Sequence, residues 1–196
     1  MTAPGVPDCY QGTELWELSL VDPDNRRPVD FELRRRLLDR IILFVERGAE
    51  ERTHFVRGLV ESWKDGGIKL YILHVALRHR RSHPTLYLEG DYVPLDCEGP
   101  ASAHLCAYAR LHQDQAIVTV ISLLTANLNG VSGQGVEEEE MWNDMWIVVP
   151  SWRAGSNYIN LLTGERFETV TRGERQALPV GPLLKHCPVA LLERCS

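Results

Sequence analysis

The sequence predicts an α+β chain in which an N-terminal helical part, residues 1–83, precedes an antiparallel β-sandwich, residues 84–196. Three observations carry this reading. From Asp30 to Ser82 apolar residues recur every three or four positions, the period of amphipathic helices. After Pro84 the period shortens towards two, in short runs rich in β-branched and aromatic residues with Gly, Pro, Asn or Asp between most of them. Ahead of the helices, Pro4 to Asp30 holds four prolines, two glycines and six acidic side chains, a loop composition in which only Val6 to Tyr10 suits a short strand.

The first helix is read from Leu33, Leu37, Ile41 and Phe44, with Asp30 at the N-cap and Gly48 at the end. A second, roughly Glu50 to Lys64, places Phe55, Val56, Leu59, Val60 and Trp63 on one face, and Asp65-Gly-Gly67 stops it. The third runs from Ile68 to about Ser82 with Leu70, Leu73, His74 and Leu77 as its main stripe. Its basic last turn suits the negative end of the helix dipole, and Pro84 forbids continuation.

Seven segments then read as strands: Thr85 to Leu88, Ala103 to Leu111, Ala116 to Leu124, Met145 to Val149, Ser156 to Leu161, Phe167 to Val170 and Val189 to Leu192. His112-Gln-Asp-Gln115 reads as a hairpin turn. Close spacing of this kind predicts an antiparallel sandwich.

Composition narrows the function classes. A net charge of -6 argues against a general nucleic-acid binder, which needs clustered cations facing phosphate. No apolar run is long enough for a membrane span, and no secretory leader is visible. Five scattered cysteines without a C-x-x-C pair read as reduced thiols, the state kept in a cytoplasm.

The proline-rich loop is the best candidate for binding. Trp16 and Tyr10 can stack on pyranose faces, while Asp22, Asp24, Asn25 and Arg26 can divide sugar hydroxyls between acceptors and donors. The alternative is a stiffened surface turn whose charges pair with one another. His79 and His83 stand four apart, but Arg80 occupies the position where a zincin carries Glu, and the surrounding arginines repel cations; we assign no metal or cofactor here. His74 reads as a core histidine with one hydrogen bond, and His104 and His186 as strand residues without carboxylate partners. Gly130 to Gly135 lacks the ending of a phosphate loop, Ser132 lacks the setting of a nucleophile elbow, and Arg34-Arg-Arg36 and Glu137 to Glu140 read as solvated charge runs.

Several ordered blocks carry a family likeness. Pro4-Gly-Val-Pro, Tyr10-Gln-Gly-Thr-Glu14 and Asp22-Pro-Asp-Asn-Arg-Arg-Pro28 come first. They are followed by Gly67-Ile-Lys-Leu-Tyr71, Leu77-Arg-His-Arg-Arg81, Leu86 to Leu95, Ala103 to Arg110, Asn160-Leu-Leu-Thr-Gly164 and Pro188 to Leu192. Together they resemble the α-amylase superfamily (glycoside hydrolase family 13) of (β/α)8-barrel enzymes, and within it the malto-oligosyltrehalose synthases, intramolecular glucosyl mutases of trehalose biosynthesis. The resemblance implies that residues 1–83 are the last strand, loop and helices of a barrel, with a C-terminal domain behind them. It implies that Asp22 and Arg26 hold a glucose unit, that Tyr10, Gln11 and Glu14 lie at the end of a barrel strand facing maltodextrin, and that the catalytic carboxylates lie upstream. The chain is then the C-terminal part of such an enzyme, inactive alone. The alternative is a non-catalytic module that binds α-glucan or docks onto a separate barrel, or self-associates through exposed helix faces.

Overall fold

A computed structural model describes residues 1–19, 22–124, 141–150 and 156–195, leaving aside the side chain of Asn25. The readings made above for Asn25 as a ligand, for Gly130 to Gly135 and for Glu137 to Glu140 fall outside that description.

The chain is α+β. Helices α1 (Phe31–Val45), α2 (Ala49–Glu61), α3 (Gly67–Ser82) and the short α4 (Pro84–Leu88) come first, and α5 (Val180–Leu184) lies late among the strands. The Asp30 side chain caps α1 by accepting from Leu33 N at 2.9 Å, which satisfies one of the free amides at the helix start. Behind α2, a short 3-10 turn Trp63–Asp65 ends at Gly66, whose φ of +78° only glycine adopts without strain. A Cβ there would lie 2.9 Å from Trp16 N, so this glycine also lets the N-terminal loop touch the start of α3.

Among the described residues, ten strands form two antiparallel sheets. The larger has the order β1 (Asp91–Pro94), β3 (Leu105–His112), β4 (Gln115–Ser122), β10 (Val189–Cys195), β6 (Asn157–Asn160), β7 (Arg166–Glu168). The smaller has β2 (Cys97–Glu98), β5 (Trp146–Val149), β9 (Arg175–Pro179), β8 (Val170–Arg172). The β3–β4 hairpin turns at Gln113 and Asp114 with His112 opposite Gln115, as the sequence predicts.

Strands β4 and β10 sort their side chains by parity, because successive residues point to opposite faces. Val118, Val120, Ala190 and Leu192 face a cluster shared with Ile147, Val149 and Leu178 of the second sheet. Ile117 and Leu191 face the other way, into a cluster with Ile41, Phe55, Val56, Leu70, Tyr71 and Leu86 of the helices. Burial on both faces explains why Ala116 to Ile121 is almost continuously apolar.

The turn at Asn160 to Gly164 joins helices to sheet. Tyr71 Oη donates to Leu162 O, Arg52 Nη1 to Leu161 O at 3.3 Å, and Thr53 Oγ1 to Thr163 O at 3.4 Å. The wholly buried Asn160 Oδ1 accepts from Leu162 N at 3.0 Å and holds the turn. Gly164 (φ +77°) closes it with room for Ala49, whose Cα would sit 3.2 Å from an added Cβ.

Several expectations are corrected. Thr85 to Leu88 is helical, because Pro84 fits the first position of a helix as well as it stops the preceding one. No strand forms over Val6 to Tyr10. Phe167 to Val170 divides at Thr169 between two sheets, and β1, β2, β9 and α5 are additional. The buried stripe of α3 is Ile68, Leu70, Tyr71, Val75, Ala76 and His79, with Leu77 39% exposed. His104 sits in a 3-10 turn, and His186 does have a carboxylate partner, Glu165, at 3.6 Å. Arg34 is largely enclosed, with only Arg35 and Arg36 of the triple exposed.

His74 Nε2 is buried without a hydrogen-bond partner. Burial, helped by the nearby Arg78 guanidinium, lowers its pKa below 6.5. The unfolded chain therefore takes up a proton that the folded chain declines, so stability from this group is whole above 6.5 and is lost as pH falls towards the lowered folded value. His74→Leu is expected to flatten the loss of urea resistance between pH ~7 and ~5. An unchanged acid slope in the variant would contradict this assignment.

Candidate functional site

The N-terminal loop is held at both ends and in the middle. Thr2 is buried, within 2.6 Å of Tyr108 Oη, and accepts from Thr119 Oγ1 at 3.0 Å, while Arg80 donates to Met1 O at 3.0 Å and to Gly5 O. Further on, Arg34 of α1 reaches back to donate from Nε to Glu14 Oε2 at 3.0 Å and from Nη2 to Gly12 O at 2.6 Å. Glu14 Oε2 also accepts from Gly12 N at 2.9 Å. Glu14 is therefore the pin of this loop, with its charge answered by an arginine only 16% exposed.

Leu15 enters the helical core, and Lys69 Nζ donates to its carbonyl at 3.1 Å. That anchor presents Trp16 on the surface. Its indole N–H donates to Trp63 O, its ring meets the Trp63 ring edge-to-face at 6.4 Å, and the Lys69 ammonium lies 5.3 Å from its centroid. Trp16 and Trp63 remain 44% and 54% exposed, leaving a shallow apolar depression beside Val60, Ile72 and Leu73.

Asp22 and Arg26 pair with each other. Arg26 approaches Asp22 through Nε and donates from Nη2 to Oδ2 at 3.0 Å across the 3-10 turn Asp24–Arg26. Their side chains stay 59% and 71% exposed, so the outer lone pairs and N–H groups face solvent. Tyr10 and Gln11 are exposed, and Tyr10 O accepts from Thr13 N and Oγ1 in a turn. Among the described residues, no hydrogen bond ties Tyr10, Gln11 or Trp16 to the Asp22–Arg26 pair. The structure thus gathers Glu14 with Arg34, Trp16 with Trp63 and Asp22 with Arg26 as three separate groupings.

A second polar cluster lies at the far end of α3. His79 and His83 stack with ring centroids 4.2 Å apart, and their Nε2 atoms lie 3.3 Å and 3.5 Å from Glu193 Oε1 on β10. His79 holds the Glu193 carboxyl below the usual carboxylate range, against the opposing pull of burial. The four-residue spacing of the histidines is visible in the sequence, but Glu193 comes from a strand far along the chain and only the fold brings it in. Burial pushes the Cys187 thiol up to about 11, so it behaves as a core residue. Among the described residues no helix is long and apolar enough to cross a membrane.

No family model matches the chain. Over 110 residues, 56% of its length, the chain is 43% identical to a Mycobacterium tuberculosis protein bearing the name maltooligosyl trehalose synthase, of which that stretch is 11%. The structure of maltooligosyltrehalose synthase from Arthrobacter ramosus superposes with a TM-score of 0.67 at 31% identity, and that of a mutant of the same enzyme with 0.70 at 32%. Each alignment takes in 99% of this chain and 21% of the other. The chain therefore spans between a tenth and about a fifth of the length of the relatives it matches.

Proposed function

Proceeding from a chain that in sequence and in fold matches part of a maltooligosyltrehalose synthase, we propose that it forms the C-terminal portion of such an enzyme. The observation that carries the reading is the superposition of 99% of the chain on the mutant Arthrobacter enzyme at a TM-score of 0.70. Residues 1–83 are the last strand segment, loop and helices of a (β/α)8 barrel, and residues 84–196 are a β-sandwich that caps it. The complete cytoplasmic enzyme turns the reducing-end α-1,4 link of a maltodextrin into an α,α-1,1 link. A carboxylate on the rest of the barrel displaces the terminal glucose to form a glycosyl-enzyme ester, and a hydroxyl of that retained glucose then attacks it. Excluding water from the pocket decides between transfer and hydrolysis.

This chain supplies a wall for that pocket. The exposed edges of Asp22 and Arg26 hydrogen-bond a glucose unit, with Asp24, Asn25 and Gln11 as further polar groups for the glucan and Trp16 and Tyr10 offering apolar faces, while the Glu14 pin keeps the loop in place. Alone, the chain has no catalytic carboxylate set and is inactive. Incubated with maltopentaose it should leave every reducing end intact, and trehalosyl product formed by the chain alone would overturn the reading. In the enzyme completed with its remaining barrel, Asp22→Ala or Arg26→Ala should lower kcat/KM by about tenfold or more, the value of a charge-assisted hydrogen bond to substrate. Rates within about twofold of the parent would show that the pair only shapes the loop.

A docking reading is favoured by the exposed apolar residues of the helical part, among them Phe31, Leu33, Ile42, Leu43 and Trp63. It predicts recovery of mutase activity on mixing the chain with a separately made barrel.

A further inference from the structure

We propose that His79, His83 and Glu193 form a divalent transition-metal site, of the kind zinc occupies, that staples the end of α3 to strand β10. The three ligand atoms, two Nε2 and one Oε1, all lie within 4.8 Å of one another. Ligands held about 2.0–2.1 Å from a tetrahedral zinc stand about 3.3 Å apart. The two nitrogen-to-oxygen separations here are 3.3 Å and 3.5 Å, so two edges of the coordination triangle are already formed.

Hydrogen bonds on the other side of each ring prepare the Nε2 atoms. His83 Nδ1 lies 3.2 Å from the backbone carbonyl of His79, which can only accept, so the proton of a neutral His83 belongs on Nδ1 and its Nε2 carries a lone pair. His79 Nδ1 is 2.6 Å from Tyr87 Oη, an outer partner that orients the ring. His79 is only 6% exposed, and its Nε2, although 3.3 Å from Glu193 Oε1, makes no well-aligned hydrogen bond. Three electron-pair donors thus lie within 4.8 Å of one another, and a cation drawn in between them, with a small rotation of the stacked rings, satisfies all of them.

The nearby guanidiniums do not occupy that point. Arg78 pairs with Glu46, Arg80 donates to Met1 O and Gly5 O, and Arg110 donates to Tyr87 O and Gly90 O. Arg194, the neighbour of Glu193, reaches Asp114 O. The carbonyl end of α3 adds a negative field that favours a cation. His83 and Glu193 are 28% and 32% exposed, which leaves a coordination position open to water.

The test uses the full chain, stripped with a chelator and titrated with zinc chloride and then with cobalt(II) chloride. One equivalent of zinc is expected, together with a rise in Tm and the intense visible bands of four-coordinate cobalt. His83→Ala and Glu193→Gln, both at partly exposed positions that leave the core intact, should each weaken zinc binding at least about tenfold and abolish the Tm rise. Absence of zinc uptake, or uptake equally strong in both variants, overturns the proposal. The second result would assign the metal to the cysteines or another surface group.

Discussion

Replacing Leu192 with alanine is expected to lower the unfolding free energy by about 3 kcal/mol, within the range of roughly 2–5 kcal/mol for buried leucine truncations. Leu192 is fully buried in the cluster shared by the two sheets, with Val118, Ile147, Val149 and Leu178 among its members. Removing its isobutyl group leaves a hole that strands paired on both sides of β10 cannot close, since β4 and β6 fix that backbone in register. With urea m-values of about 1–3 kcal/mol/M, the midpoint should move down by roughly 1 M or more. Val170→Ala, at a 39% exposed position, should move it little. Leu191→Ala makes a sharper comparison, because Leu191 is 3% exposed and points to the helices. If the helices and the sheets unfold as one cooperative unit, both leucine variants shift a single transition by similar amounts. A Leu192→Ala midpoint equal to the parent's would refute the two-sided core.

The part of this architecture legible in the sequence is the part with contrast. Helix α1 declares itself through its Asp30 cap and its spaced apolar residues, and α2 through the glycines that stop it. Helix α3 is legible as a helix but not in its orientation. From Ile68 to Leu77 it is apolar nearly all round, so periodicity cannot say which side meets the sheet. Strands β1, β2 and β8 are short, and β1 and β8 are largely exposed, with little hydrophobic alternation to reveal them. In the candidate site, the types of residue are legible and their pairings are not. Arg34 reads as one of three solvated arginines, and only the return of the loop to α1 makes it the partner of Glu14. Asn160 reads as one residue of the strand Ser156 to Leu161, whereas its buried amide oxygen organises the joint between helices and sheet. What the sequence conceals in each case is a partner or a neighbour supplied by another element of the fold.

Arg110→Met should cost about 2–3 kcal/mol, although it replaces a buried charge with an apolar side chain of similar length. Arg110 is 2% exposed in the middle of β3, and among the described residues no carboxylate lies within ion-pair distance of it. Its guanidinium instead gathers backbone carbonyls: Nη2 donates to Tyr87 O at 3.0 Å and Gly90 O at 2.6 Å, and Nε to Asp91 O at 3.3 Å. Those groups belong to the end of α4 and the start of β1, where helix carbonyls have no intrahelical partners. Replacing a buried ion pair by apolar residues is often neutral because both partners go. Here the carbonyls remain and lose their donor, so the desolvation cost falls on them. One guanidinium nitrogen, Nη1, has no partner, which removes part of the native gain and keeps the expected loss below that of three full charge-assisted bonds. Arg110→Lys should recover less than half, because a single ammonium cannot reproduce the planar fork that spans Tyr87 O, Gly90 O and Asp91 O. Hydrogen exchange localises the effect: amides of residues 86–94 should exchange faster in Arg110→Met, while those of β6 and β10 keep their order of protection. Parental stability in Arg110→Met, with unchanged exchange in that turn, would mean that the guanidinium is merely tolerated inside the sheet and does not hold α4 against β1.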